Sequence, residues 1–364
     1  MKDKIFPLAG DMVCENCALP SSTIEQISKE IDVIVSVAAT TSFYERYDVA
    51  LASNALGVAH VCHLANKCGN LKMLLHVSTA FVAGDQEGLL MEKPFKSGES
   101  LRKGYNLDIQ AEIKLVENFK SKLRMQSSND KLEKKKMKEL GLKRTIDMLY
   151  VAYNDQKLPC FIADHNVISD MIPGDLVINA MMVSMAIHWD QHGGQAIYHV
   201  TSGHRNPLNY SITEESLYEY FHANPRVSNG GRIVKNKRVL LFKKYTHFHL
   251  YMILRYKIAL ETLHVMSVFG GSFSKNYNKL NRGYNFLMLV AKLYAPYVFF
   301  KGCFDDTNMR KLWATTTDKL NEDSMFDCDP ACINWSSYLV NTHIPAVMVN
   351  SRNANHMKKA NKIA

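Results

Sequence analysis

Two short runs of this chain put chemically useful residues at the ends of apolar stretches. HVSTAFVAG places the hydroxyls of Ser78 and Thr79 after one stretch, and DVIVSVAATTSF places Ala38 and Ala39 after another. A hydroxyl so placed donates a hydrogen bond to an oxygen that gains negative charge. Small residues let a ligand pass close to the backbone. Each has a plainer reading, because hydroxyls at strand ends often bond local backbone and small residues simply end strands. A tyrosine with a lysine four residues on would add a proton donor, the lysine lowering the tyrosine pKa. Two such pairs occur, Tyr153–Lys157 in a polar turn and Tyr297–Lys301 in an aromatic segment. With 17 tyrosines and many lysines, both are expected by chance. Cys14 and Cys17 form a CxxC, but no second pair or histidine pair completes a zinc site, so they read as free thiols in a reducing compartment. His76, His188, His199 and His204 show no ligand spacing and read as structural.

The elements that must position these residues alternate. Ile5–Ala9 predicts a strand ending in Gly10-Asp11, and Ser22 with Glu25 predicts a capping box opening a helix. Ile31–Ala38 predicts a strand, Tyr47–Cys68 a helix closed at Gly69, and Met73–Val77 another strand. This alternation predicts an α/β fold with a parallel, doubly wound sheet. Residues 85–105 read as a loop, and 107–143 as charged helix with Lys131–Lys143 a solvated face. Pro173–His188 is apolar nearly all round and predicts a buried helix. Leu158–Ile162 is a short apolar run, Ala196–Thr201 predicts a strand, and Ser211 opens a helix. Beyond Val234 only helix-like segments rich in Tyr, Phe, Met and Lys remain. Pro225, Asn229, Gly230 and Gly231 mark a boundary between 224 and 231.

Composition sets the class. With 47% apolar and 22% charged residues in 364, the chain has material for one or two real cores. A net charge of +9 suits anionic partners. No zinc-finger, RRM or helix-turn-helix pattern accompanies it, so nucleic acid is not expected. The start MKDKIFPLAG lacks a secretory pattern and no 18-residue apolar stretch occurs, which predicts an intracellular, non-secreted protein.

Six segments in order carry a resemblance: DVIVSVAATTSFYERYDVALASNALG, HVSTAFVAG, GLLMEKPF, KLPCFIADHNVISDMIPGDLVINAMM, AIYHVTSGHRNPL and LYAPYVFFKGCFDDTNMRKLW. Together they resemble the plant-type alcohol-forming fatty acyl-CoA reductases, also called the male-sterility-protein family. The likeness runs from about Lys4 to Pro345. It implies a Rossmann-type, extended short-chain dehydrogenase domain over 1–225 and a helical domain over 232–350. It implies NADPH as cofactor, long-chain fatty acyl-CoA as substrate, and reduction through the aldehyde to the primary alcohol. On that resemblance Thr79 is the catalytic hydroxyl, with Ser78 its neighbour. Gly10 and Asp11 meet the adenine edge of the cofactor, or else form a strand-terminating turn. Ala38 and Ala39 let the cofactor pass, and Asn54 holds a water or backbone group. The aromatic segments Tyr245–Met266 and Tyr284–Phe300 line an acyl tunnel, lie on a membrane surface, or pack as core. The expected location is the endoplasmic reticulum surface or the cytoplasm.

Two departures stand out. The family's strand–GxxGFL–helix unit, whose glycines and helix N-terminus hold the pyrophosphate, is not found in these 364 residues. At Arg144-Thr145 the sequence passes from GLKR, which resembles the stretch before the family's Tyr-x-x-x-Lys helix, to sequence resembling a region well beyond it. The expectation is a truncated, internally deleted reductase with little or no activity. Its first strand would pair directly with the second or stay unpaired, leaving an apolar sheet edge. A non-catalytic lipid-binding or partner protein of the same family is the alternative, and a sugar-nucleotide epimerase-like enzyme ranks last.

Overall fold

A computed structural model describes residues 4–41, 45–83, 86–96, 98–99, 108–126, 133, 159–191, 193–227, 231, 233–234, 237–267, 272–317 and 326–349. The Tyr153–Lys157 pair, the Arg144-Thr145 break and most of the Lys131–Lys143 segment lie outside them. The elements used below are α1 (Ser21–Glu30), β1 (Val33–Ser36), α2 (Tyr47–Leu51), α3 (Gly57–Ala65), β2 (Met73–His76), β3 (Gly88–Leu90) and α4 (Ile109–Gln126). They continue with β4 (Cys160–Ile162), α5 (Gly174–His188), α6 (Tyr210–Ala223), β5 (Arg226–Val227), β6 (Ile233–Val234) and β7 (Leu240–Phe242). The remainder are α7 (Tyr245–Met252), α8 (Ile258–Ser267), α9 (Ser272–Val298), β8 (Gly302–Phe304), α10 (Thr307–Thr317) and α11 (Trp335–Tyr338). They fall into two compact units. One is Met1–Arg144, Pro173–Val200 and Phe304–Asp329; the other is Thr145–Ile172, Thr201–Cys303 and Pro330–Ala364.

In the first unit β1 and β2 pair in parallel, Val33 opposite Met73 and Ser36 opposite His76. The crossover between them is α2, a π-turn over Ala52–Leu56 and α3. This is the β-α-β repeat that the alternation predicts. Asp48, buried in the first turn of α2, ties the crossover to α4. It accepts two bonds of 3.0 Å from Arg46 and a 2.5 Å contact from Lys120. The Tyr47 hydroxyl donates to Glu112 on the same helix at 2.9 Å. Burial and the Glu112 carboxylate push that phenol up to about 12.

Three expectations fail here. Ile5–Ala9 is not a strand; it has no ladder partner among the described residues, and Ile5, Phe6 and Leu8 stay exposed. Ala196–Thr201 is not a strand either, because side chains occupy its backbone groups: His199 N–H donates to Glu92, and Asn308 donates to the Ile197 carbonyl. The capping box at Ser22 does not form. Helix α1 starts at Ser21 after an extended Pro20, and Glu25 pairs with Lys29 at 2.9 Å. Helix α5 buries one face only. Ala180 and Val183 pack with Met309 and Leu312 of α10 and with Cys328, while Ile178 and Met182 remain exposed.

In the second unit β4 and β7 are parallel, Cys160 opposite Leu240, so strands persist beyond Val234. Every residue of β4 is buried, Cys160 against Met252 of α7 and Phe161 edge-on to Tyr294 of α9. A separate core joins Leu208 and Phe221 to Trp335, Leu339, Ile344 and Met348. Asn206 locks it, donating to the carbonyls of Pro330 and Ile333 at 2.8 Å and accepting the Trp335 indole N–H at its own carbonyl at 2.9 Å.

Candidate active site

The parallel register of β1 and β2 brings their C-terminal ends side by side. Val77 N–H continues the ladder to the Ser36 carbonyl at 2.9 Å, and His76 Nδ1 lies 3.2 Å from the Ser36 hydroxyl. The chain then leaves the sheet as Val37–Thr40 on one strand and Val77–Thr79 on the other. In a parallel α/β sheet this is the end at which ligands bind.

Ser78 and Thr79 are both exposed there. Thr79 opens the 3-10 turn Ala80–Ala83: its carbonyl accepts from Val82 N–H at 3.2 Å and its Oγ1 accepts from Phe81 N–H at 3.3 Å. The backbone donor therefore fixes the oxygen and leaves the hydroxyl proton to donate outward. The local backbone bond of the plainer reading is present, and the hydroxyl that it orients faces solvent.

Ala38 and Ala39 are exposed and present only methyl groups. The loop they begin is held by Asn54, which sits in the π-turn between α2 and α3. Its Oδ1 accepts from Thr40 N–H at 2.8 Å and its Nδ2 donates to the Thr40 carbonyl at 2.9 Å. One side chain thus satisfies both polar groups of one residue across the crossover. A π-turn widens the helix by one residue, and such turns concentrate at functional sites.

Gly10 and Asp11 lie in a loop built on its own bonds. A Cβ at Gly10 would stand 2.8 Å from the Cys17 carbonyl, so the glycine is needed for close approach of this chain's own backbone. Asp11 N–H donates to that carbonyl at 2.8 Å, and the Asp11 carboxylate accepts from Val13 N–H at 3.0 Å.

One residue that motif reading leaves unassigned is Glu92 of GLLMEKPF. Only 6% exposed, its carboxylate accepts from the backbone N–H groups of His199 at 2.7 Å, Met309 at 3.3 Å, and Asn308. Two of these donors belong to the first turn of α10, where a helix favours an anion. Burial raises the carboxyl above the usual range, and the three backbone bonds only partly offset it. His199 in turn lies edge-on to Phe304, with its Nδ1 2.8 Å from the Asp305 carbonyl, and Phe304 meets Phe81 edge-on at 5.2 Å. Glu92 thus ends a chain of contacts that reaches the turn carrying Thr79. Its sequence trace is one acid inside an apolar run.

Comparison with known proteins supplies the deciding observation. The NAD-binding model of the male sterility protein family matches residues 1–142, and a second model described as male sterility protein matches 255–350. The chain belongs to the male sterility protein family. Fatty acyl-CoA reductase 1 of Arabidopsis thaliana is 35% identical over 407 residues, covering 96% of this chain and 82% of that protein. The alcohol-forming fatty acyl-CoA reductase of Simmondsia chinensis is 33% identical, with the same coverage. An alignment of 407 positions is longer than the 364 residues of this family member, so the relative holds residues with no counterpart here. Among solved structures, the terminal R domain from the myxalamid PKS-NRPS biosynthetic pathway shares the fold. Its TM-score is 0.53 at 14% identity, covering 96% of this chain and 76% of that one. The family member therefore has the expected α/β fold with an NAD-binding domain.

The strand ends fit part of a nicotinamide nucleotide. The exposed Ala38 and Ala39 put only methyl groups just past the end of β1, and Asn54 holds the next residue, Thr40, by both its backbone groups. No GxxGFL sequence is present in these residues to cradle the pyrophosphate.

Proposed function

We propose that this chain acts in the NADPH-dependent reduction of a long-chain fatty acyl-CoA to the fatty alcohol, with Thr79 as the hydroxyl that meets the acyl oxygen. The observation that supports the reading is the parallel pairing of β1 and β2, which sets Ala38-Ala39 and Ser78-Thr79 just past neighbouring strand ends, with Asn54 bonded to both backbone groups of Thr40 in the loop that follows. NADPH, when bound, supplies the hydride. Ala38 and Ala39 would lie along the nucleotide, with Gly10 and Asp11 at its adenine edge. Thr79, oriented by Phe81 N–H, donates a hydrogen bond to the oxygen on which charge builds, and Ser78 stands beside it. A tyrosine with a lysine four residues on would add a proton transfer of the kind typically worth about 10²–10⁴-fold. The break at Arg144-Thr145 falls just where the family's tyrosine helix would begin, so these 364 residues should run slowly.

The test is NADPH oxidation by the purified chain with a C16–C18 acyl-CoA, read beside acyl-CoA binding. Expected is acyl-CoA binding, with slow oxidation that Thr79→Ala removes. Oxidation unaffected by Thr79→Ala would reject the role of Thr79, and failure to bind acyl-CoA would reject the substrate class. A second reading, a non-catalytic acyl-CoA-binding or partner protein, draws on the residues that the Arabidopsis relative has and this chain lacks. It requires acyl-CoA binding with no NADPH binding at all.

The same reading places the protein inside the cell, in the cytoplasm or at the endoplasmic reticulum surface. Among the described residues no helix is long and apolar enough to cross a membrane. Leu250, Leu254, Ile258 and Val265 are nevertheless exposed from α7 through the π-turn Ile253–Lys257 into α8, with Lys243, Lys244, Arg255 and Lys257 close by in sequence. Apolar side chains among cations suit the surface of an anionic bilayer.

A further inference from the structure

The CxxC at residues 14–17 has no part in the chemistry above, and the structure gives it an unusual setting. Asn16, Cys17 and Ala18 all have positive φ, at 52°, 56° and 53°, a left-handed turn made without glycine. L-residues adopt that conformation only where the surroundings hold them to it. The surroundings here are specific. The Cys17 carbonyl accepts Asp11 N–H at 2.8 Å, Asn16 accepts from Lys67 at 2.6 Å, and Leu19 N–H donates to the Asn16 carbonyl at 3.1 Å. His60 Nδ1 lies 3.2 Å from the Met12 carbonyl, which fastens the loop to α3.

The two cysteines are joined within this turn. Cys17 N–H donates to the Cys14 carbonyl at 3.0 Å, the hydrogen bond of a four-residue turn. Such a turn keeps its end Cα atoms within about 7 Å, and disulfides span roughly 4.4–6.8 Å between Cα atoms. Cys14 is exposed and Cys17 half-buried, both as free thiols. We propose that Cys14 and Cys17 are a reversible dithiol–disulfide site that reacts with small disulfides of the oxidised-glutathione class.

Exposure sets the order of the steps. The Cys14 thiolate attacks one sulfur of the small disulfide, forming a mixed disulfide at Cys14 and expelling one small thiolate. The Cys17 thiolate then attacks the Cys14 sulfur, closing the Cys14–Cys17 bond and expelling the second. Two protein thiols are oxidised, one small disulfide is reduced to two thiols, and the two cysteine protons end on the released thiolates. Burial, aided by the Asp11 charge, pushes the Cys17 thiol up, which keeps it from attacking first.

The full chain is equilibrated in glutathione buffers from reducing to oxidising, quenched by alkylation, digested and weighed. Both cysteines fall in one tryptic peptide, residues 5–29. Expected is a peptide two hydrogens lighter in oxidising buffer, whose halves stay joined after cleavage at Glu15 and part on reduction. Cys17→Ser should stop at a glutathione adduct on Cys14, and Cys14→Ser should give no adduct at Cys17. The proposal is overturned if both thiols of the wild-type chain alkylate fully in the most oxidising buffer, if Cys14 links to exposed Cys62 instead, or if the wild type holds a persistent adduct. Equal adducts on the two single variants would overturn the order of attack. The wild-type result decides the site even if a variant fails to fold.

Discussion

Glu92 is the residue whose loss should be felt most among those described here. Glu92→Ala would leave three backbone N–H groups without their acceptor in a buried place, at a cost of roughly 3 kcal/mol in unfolding free energy. Urea unfolding measures it. Glu92→Gln keeps the shape and one acceptor oxygen, so it should cost less and change the pH response. The folded carboxyl is raised above its unfolded value, so its share of stability is complete below the ordinary glutamate range. That share fades as pH rises through the raised value. Wild type minus Glu92→Gln should therefore lose stability with rising pH across that window; a flat difference would contradict the assignment. Legibility at this scale divides by distance along the chain. The strand-end position of Thr79 and the helical place of Asn54 could be read because both belong to short motifs. Glu92 could not, because its partners lie 107, 216 and 217 residues away.

The elements repeat that lesson. β1, α3 and β2 follow from local apolar spacing, and the structure has them. Ile5–Ala9 and Ala196–Thr201 have equally strand-like sequences and form none, because a strand exists only when a neighbour takes its backbone groups. The docking of α2 on α4 rests on Asp48, another contact invisible to periodicity. Burial pushes that carboxyl up, but hydrogen bonds from Arg46 and Lys120 outweigh it and hold it below the usual aspartate value. Its contribution is therefore present above the ordinary aspartate range and lost as pH falls through the depressed value. Asp48→Asn should cost about 1–3 kcal/mol at neutral pH and almost nothing in strong acid, by urea unfolding at each pH. The exposed stripe of α7 and α8 carries a different expectation. Replacing Leu254 and Ile258 by serine should leave the melting temperature nearly unchanged and lower binding to anionic phosphatidylserine vesicles at least tenfold. Neutral vesicles should bind the parent chain weakly. Unchanged binding by the double variant would remove the stripe from any membrane role.

At the scale of the whole molecule, chain order and compact units differ. The sequence suggests a division between 225 and 232, yet the first unit takes its last segment from Phe304–Asp329. That segment supplies Met309, Leu312 and Cys328 to the core around Ala180 and Val183, and the α10 N–H groups that hold Glu92. A fragment of residues 1–225 would expose the α5 face that α10 covers and leave Glu92 with one backbone partner. It would also keep the exposed Val35 and Val37 in and just past a strand of a sheet that, among the described residues, has two strands. Exposed apolar surface next to an open strand edge drives association. The fragment should therefore form oligomers at micromolar concentration and melt without a cooperative transition, where the 364-residue chain should melt cooperatively. Adding residues 304–329 as a separate peptide should restore part of that transition, because the peptide carries the missing core face. A monomeric 1–225 fragment with a sharp melt of its own would show instead that the linear division is the physical one, and that α10 only decorates a core already complete.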